Sequence, residues 1–523
     1  MSENFFVGQT IETAGFFPLT DLPGFVTTQR MATAEGTSRY FNTHQLSVQP
    51  SVLGATGWKV SPIGFGGYRI DAGVDSHYDP LKLALRSGCN LIDTSSNYTD
   101  GNSENLIGSV LKTLFASNEL KRDEVVIVSK VGYVQGSNLE LAQQRESRKI
   151  PFPDMVKISD DLWHCISPDF IRDQIGRSLT RLKLSQIDAV LLHNPEYFLK
   201  TGSDHPNDHK EYYARIKKAF IHLETEVATG RIQYYGISSN TFPEDREDTQ
   251  FTSLQVVLDI SKEIKRETGA SHFALIQFPF NLYEPDAALN PNQVSENGET
   301  QTLLQLAKRE GLGTLINRPL NAFYGQKLIR LADFPSHLDK DVEEVLKEAF
   351  LDALQTESDY PAKDVYPAKS IAWAHILRQN FEKIHDLEGW KNILAYQIEP
   401  AIDEAQTALG EYPEYSEWID NYIENCRVLF NAITDYLEEI TSALSRKISH
   451  LLDDTNPALK ASSTLSQKAI RIYRSTPGVD CVLVGMRKEE YVKDALTLQP
   501  VLKGEQALEV LEAIQRDIEE GAK

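Results

Sequence analysis

Eight short runs rich in β-branched and other apolar residues recur along the chain, each separated from the next by enough sequence for a helix: 60–65, 90–93, 125–130, 187–192, 232–237, 273–277, 313–316 and 481–484. Their nearly continuous apolar character is what strands buried on both faces require. The stretches between them, such as 170–182, 211–228 and 302–309, carry apolar residues at helical spacing. Eight alternating units predict a closed parallel (β/α)8 barrel, with an open doubly wound sheet as the structural alternative.

Two intervals break the rhythm. Residues 133–165 read as a loop, with Pro151, Pro153 and many charges, long enough to fold over a barrel mouth as a lid. Residues 326–460 read instead as long helices, at 341–354, 371–384, 398–409 and 415–452. That segment holds about 26 acidic and about 13 basic residues, a net of about −13 where the whole chain has −22. It is an acidic helical insertion, and its role is either to stabilise or to gate a substrate or dock a protein partner. The expected layout is an irregular N-terminal arm over 1–45, strands one to seven over 46–325, the insertion over 326–460, and the last barrel helix and strand plus C-terminal helices over 461–523.

Composition limits the partners. A net charge of −22 and a pI of about 5.1 oppose nucleic acid or an anionic membrane as the main partner, because both need clustered cations. Cys89, Cys165, Cys426 and Cys481 lack metal-site or disulfide-framework spacing. His205 and His209 have metal-compatible spacing but no further ligands, so no metal is expected. No apolar run reaches membrane-spanning length, and Glu3, Glu12 and Asp21 stand where a signal peptide needs a basic and then apolar stretch. The expectation is a cytoplasmic protein.

Chemistry concentrates in the stretch from Asn90 to Gly108, where a strand ending at Asp93 runs into a polar turn carrying Tyr98, and Ser103 is placed to cap a helix opening at Glu104. Lys130 closes the third run and His193 follows the fourth. In a barrel these strand ends share one rim. A lysine beside a phenol lowers the tyrosine pKa, and a carboxylate keeps the lysine charged and oriented. Tyr98 then serves as general acid to a nascent alkoxide while His193 aligns a substrate carbonyl. Each residue alone has a bland reading as an ion pair, a packed tyrosine or a satisfied histidine; the set at equivalent positions favours chemistry.

Over residues of about 48–325 and 464–500 the sequence resembles the aldo-keto reductase family. The motifs are Lys59-Val-Ser-Pro-Ile-Gly-Phe-Gly66, Asp93-Thr-Ser-Ser-Asn-Tyr98 with Ser103-Glu-Asn-Leu-Ile-Gly108, Val128-Ser-Lys130, Leu191-Leu-His193, Gly230-Arg-Ile-Gln-Tyr-Tyr-Gly-Ile-Ser-Ser-Asn240 and Gln277-Phe-Pro-Phe-Asn281. The resemblance implies a (β/α)8 fold, NADP(H) as cofactor with NAD(H) as the alternative, a small carbonyl, alcohol or sugar as substrate, and Asp93, Tyr98, Lys130 and His193 as the catalytic tetrad. It further implies that Gln277 holds the nicotinamide carboxamide together with Ser238 and Ser239, or with Ser239 and Asn240 if one residue is inserted. At the eighth strand, Gly485, Arg487 and Lys488 precede a helix whose N-terminus suits phosphate, and Asp494 matches the family acid at the adenine. Departures occur at Tyr491, where many members have arginine, at Ala495, where an asparagine is usual, and at Asn317, which replaces the tyrosine that stacks on the nicotinamide. Arg318 beside it reaches either cofactor or substrate, or forms a rim ion pair. A second reading makes the chain an NADP(H)-binding regulatory or scaffold subunit whose insertion docks a partner protein.

Overall fold

The computed structural model describes residues 31–43, 49–200, 208–295, 297–324, 327–337, 341–384 and 386–521. Eight parallel strands close into a barrel: β1 (Ile63–Gly66), β2 (Leu91–Asp93), β3 (Val126–Val131), β4 (Ile187–His193), β5 (Ile232–Ser238), β6 (Phe273–Pro279), β7 (Gly313–Asn317) and β8 (Cys481–Val484). Val482 on β8 pairs with Ile63 on β1, and Ser238 on β5 with His193 on β4, so no sheet edge remains and the open-sheet alternative falls.

Strand alternation decides what the barrel encloses. Leu91, Val126, Val128, Ala189, Leu191, Leu275 and Leu315 form one buried cluster, whereas their neighbours Ile92, Ile127, Val190 and Ile276 pack outward with the helices. Continuing the inward columns by two residues reaches Asp93 on β2, Lys130 on β3, His193 on β4 and Gln277 on β6. The interior is thus apolar below and polar at the C-terminal rim. Leu53 and Trp58 join the inner cluster, and Leu53 lies under Gly313 at the start of β7, which closes the opposite end.

Several local expectations are corrected. Within the arm, residues 1–30 lie outside the described residues, but Ala34–Thr43 is a helix and not irregular chain. Gly36 hides it: a Cβ there would lie 2.2 Å from the Asp123 carbonyl oxygen, so close packing selects a residue that helix propensity disfavours. The interval 133–165 is structured too, with a helix at Gly136–Ser147 and a small antiparallel sheet of Tyr133–Val134, Val156–Lys157 and Trp163–His164. Only Asn138, Leu139 and Ala142 of that helix are buried, so no apolar stripe announces it. Ser103 caps nothing. The helix opens at Asn102 after Gly101, and Ser103 Oγ instead donates to the Gly67 carbonyl at 2.8 Å and meets Thr94 Oγ1 at 2.9 Å, tying β1 to β2.

The insertion follows a hairpin of Asn321–Tyr324 and Lys327–Arg330. Its helices are Val342–Ser358, Trp373–Asn380, Leu387–Ile393, Glu399–Gly410 and Ser416–Thr455. They enclose a separate core around Trp390, Tyr422, Leu429 and Ile433. The last helix has 40 residues, about 60 Å at 1.5 Å per residue. Its first half belongs to that core, while Ile448 and Leu452 enter the barrel's outer layer. Among the described residues no helix is long and apolar enough to cross a membrane.

Candidate active site

Strands β2, β3 and β6 bring three polar groups together at the rim. Lys130 Nζ lies 2.6 Å from Asp93 Oδ2, 2.9 Å from the Thr94 carbonyl oxygen and 3.2 Å from Tyr98 Oη. Gln277 Nε2 donates to the other oxygen, Asp93 Oδ1, at 2.7 Å, across 184 positions of sequence. Lys130 is fully buried and Asp93 nearly so. Burial pushes the Asp93 carboxyl up and the Lys130 ammonium down, and each opposes the shift of the other. Three acceptors around Nζ match the three donors of an ammonium, so the pair stays ionised.

Half-buried Tyr98 accepts from Lys130, which leaves its own O–H free to be given elsewhere. Its pKa departs from the sequence expectation. Burial, with the Asp93 charge adding, raises the phenol well above its ordinary value, where the lysine alone was expected to lower it. The consequence is a phenol fully protonated at neutral pH. His193 is buried, and desolvation, with help from Lys130 and His164, holds its imidazole well below the ordinary range and therefore neutral.

Around His193 stand residues that sequence reasoning missed. Ser95 Oγ lies 3.1 Å from His193 Nδ1, the Tyr133 ring packs edge-on at 4.6 Å, and His164 Nε2 contacts the His193 carbonyl oxygen at 2.7 Å. Asn194 Nδ2 donates to Tyr133 Oη at 2.8 Å. Tyr133 lies just beyond β3, three residues after Lys130, and that spacing was the available signal. Ser95 and Asn97, whose Oδ1 accepts from Ser95 Oγ at 2.6 Å, lie within the motif of Tyr98 but were not singled out.

The remaining candidates separate. Ser238 Oγ donates to Gln277 Oε1 at 3.1 Å and Asn317 Nδ2 approaches the same oxygen at 3.3 Å, so β5, β6 and β7 place a hydroxyl and two amides side by side. Asn317 Oδ1 is buried with no partner among the described residues. Such a set offers donors and acceptors suited to a carboxamide. Ser239 is turned away toward Thr241 and Thr252, and the Asn240 amide donates to Glu196. Arg318, in a left-handed conformation, pairs with Glu284 at 2.8 Å, which is the rim ion pair. Asp494 is already engaged, since Thr464, Ser466 and Gln467 at the start of helix Leu465–Ser475 all donate to it. Beyond β8, Gly485 borders open space, Arg487 is half-buried, and Lys488 is exposed beside Glu490. His209 opens a helix, and His205 lies outside the described residues. All four cysteines are free and buried.

The chain is 32% identical over 213 residues to an NADH-specific methylglyoxal reductase of Escherichia coli (strain K12), covering 39% of this chain and 56% of that protein. It is 27% identical over 198 residues to a 6-dehydroglucose reductase of Novosphingobium aromaticivorans, covering 36% and 51%. The chain thus spans about half the length of the curated relatives it matches. Among solved structures it is similar to an aldo-keto reductase from Bacillus halodurans, with 14% identity, a TM-score of 0.41 and coverage of 89% of this chain and 96% of that one. The model of the aldo/keto reductase family matches residues 62–379, more than half of the sequence. The chain belongs to the aldo/keto reductase family.

Proposed function

We propose that this protein reduces a small aldehyde or ketone, or oxidises the matching alcohol or sugar, with NADP(H) or NAD(H) as redox partner and Tyr98 as proton donor. The observation that carries the reading is the Lys130 ammonium, which is held by Asp93 and donates to Tyr98 Oη at 3.2 Å. That arrangement fixes the phenol oxygen, keeps its proton outward and stabilises the phenolate left after transfer. Neutral His193, held at Nδ1 by its 3.1 Å contact with Ser95 Oγ, would align the carbonyl oxygen that Tyr98 protonates. Ser238, Gln277 and Asn317 would hold the nicotinamide carboxamide. The cofactor supplies the hydride when bound. The matched relatives are named for reducing a dicarbonyl and an oxidised sugar, which supports a small polar carbonyl as the substrate class.

The test is Tyr98→Phe assayed across a panel of carbonyls and sugars with both cofactors. The expected result is a turnover loss of about 10²–10⁴-fold with cofactor affinity retained. A folded variant that binds cofactor and reduces a good substrate at the normal rate would overturn the mechanism.

A further inference from the structure

The segment expected to fold over the barrel mouth as a lid, 133–165, touches both groups that the proposed chemistry uses. Its first tie is to His193. The β3–β4 ladder ends where Val131 pairs with Leu192, and the next carbonyl, that of buried His193, is met by His164 Nε2 at 2.7 Å. A carbonyl oxygen only accepts, so His164 donates, and burial keeps that imidazole neutral by lowering it to about 4. Gly132 admits the contact, since a Cβ there would stand 2.4 Å from the His193 carbonyl oxygen and 2.7 Å from His164 Nε2. Tyr133, paired with His164 across the small sheet, sets its ring against the His193 imidazole and its hydroxyl oxygen against Asn194 Nδ2.

The second tie is to the turn of Tyr98. Thr99 and Asp100 both have left-handed backbone, at φ 47° and 53°, ahead of Gly101 at 86°. For β-branched Thr99 that conformation is an outlier, which persists only where its surroundings hold it. Thr99 Oγ1 donates to the Ile70 carbonyl at 2.8 Å, and Asp100 Oδ1 accepts from the Ser137 amide at 3.0 Å and from its hydroxyl at 2.8 Å. Ser137 lies in the first turn of helix Gly136–Ser147, whose own N-cap residue, Gln135, makes no side-chain capping bond, so the Asp100 carboxylate caps this helix from outside. Gln135 in turn accepts from Asn97 Nδ2 at 3.2 Å.

We infer that 133–165 is a fixed brace and not a lid, and that Asp100 and His164 are positioning residues through which it sets Tyr98 and His193 relative to one another. The inference rests on the reductase reading for why that placement matters, while the ties themselves do not depend on it. A substrate carbonyl oxygen has to meet the phenol and the imidazole together, and misplacing one of them by about 1 Å is enough to cost about a hundredfold in rate. Because one segment makes both contacts, it cannot swing open without releasing Tyr98 and His193 at once.

The test measures kcat of the full chain with the best carbonyl of the panel above, alongside cofactor affinity and thermal midpoint. His164→Leu removes the donor, and Asp100→Gly keeps the left-handed backbone while removing the carboxylate. Each is expected to lower kcat by about ten- to a hundredfold with cofactor affinity within about twofold of wild type. His164→Gln restores a donor and Asp100→Asn an acceptor oxygen, and both are expected to recover most of the loss. Wild-type kcat in either folded truncation, or equal losses in Asp100→Gly and Asp100→Asn, overturns the brace. Should His164→Leu fail to fold, the exposed Asp100 site decides alone. A 3-fluorotyrosine label at position 98 separates this inference from the reductase reading. If wild type turns over no carbonyl, a fluorine resonance that shifts or broadens in Asp100→Gly keeps the brace and overturns the reductase reading, whereas an unchanged resonance overturns the brace.

Discussion

At the residue scale, the ionised pair and two opposed titrations define what substitution does. Lys130→Met leaves the Asp93 carboxylate buried with only Gln277 as side-chain partner. Breaking a buried pair in this way costs about 3–5 kcal/mol, so Lys130→Met should lower the thermal midpoint, while Tyr98→Phe, which strands no charge, should hardly move it. Glu196 makes a sharper case. It is fully buried with one oxygen unpartnered among the described residues, and burial raises its carboxyl to about 7. The folded state therefore holds that proton where the unfolded state has lost it, between about pH 4.5 and 7. This contribution is complete below pH 4.5 and disappears as pH rises through 7. His164 runs the other way: burial lowers its imidazole to about 4, so stability is lost as pH falls below about 6.5. The two slopes cancel across most of that window. Glu196→Gln removes one of them, and its stability relative to wild type should fall by about 1.4 kcal/mol per pH unit on acidification from 7 to 5. Midpoints that keep a constant offset at pH 7, 6 and 5 would show that Glu196 does not titrate there.

At the element scale, the strands were legible because a barrel strand is buried on both faces and its composition shows it. The rim cluster was legible because inward columns end at rim positions, so Asp93, Lys130 and His193 announce themselves by where the apolar runs stop. What the sequence hid was hidden for physical reasons. The Gln277–Asp93 bond joins positions that only barrel closure brings together. Ser103 resembles a cap because its role as a tie to Gly67 is tertiary. The helix at Ala34–Thr43 is masked by Gly36, whose missing Cβ admits the Asp123 backbone. Gly36→Ala improves intrinsic helix propensity yet should destabilise, by about 1–3 kcal/mol, because the added methyl meets rigid backbone. A thermal midpoint that rises in Gly36→Ala would mean the helix can shift at little cost and that local propensity outweighs the contact. Glu388, which pairs with Arg69 and Arg330, was illegible for a different reason: among about 26 acidic residues in the insertion, nothing local marks the one that meets them.

At the scale of the whole molecule, two hydrophobic cores share one helix. Ser416–Thr455 packs Tyr422, Leu429 and Ile433 into the insertion core and Ile448 and Leu452 into the layer around the barrel, with Ile440 half-exposed between them. A continuous helix transmits order from one core to the other, because each turn's hydrogen bonds hold the next in place. The insertion is also strongly acidic, so its compact state works against self-repulsion that the barrel largely escapes. It is therefore the weaker of the two units, and the helix is what couples its melting to the barrel's. Ile440→Pro removes one backbone hydrogen bond and clashes with the preceding turn, at a cost of about 3 kcal/mol, without touching either core. The expected calorimetric outcome is that the insertion separates as an earlier transition and that added salt, by screening its charges, moves this transition up more than the barrel's. Leu429→Ala in the Ile440→Pro background should then lower only the early transition, and Leu452→Ala only the late one, each by the about 2–5 kcal/mol typical of a buried leucine. If each truncation instead lowers both transitions equally, the two cores form one cooperative unit and the helix is not the element that joins them.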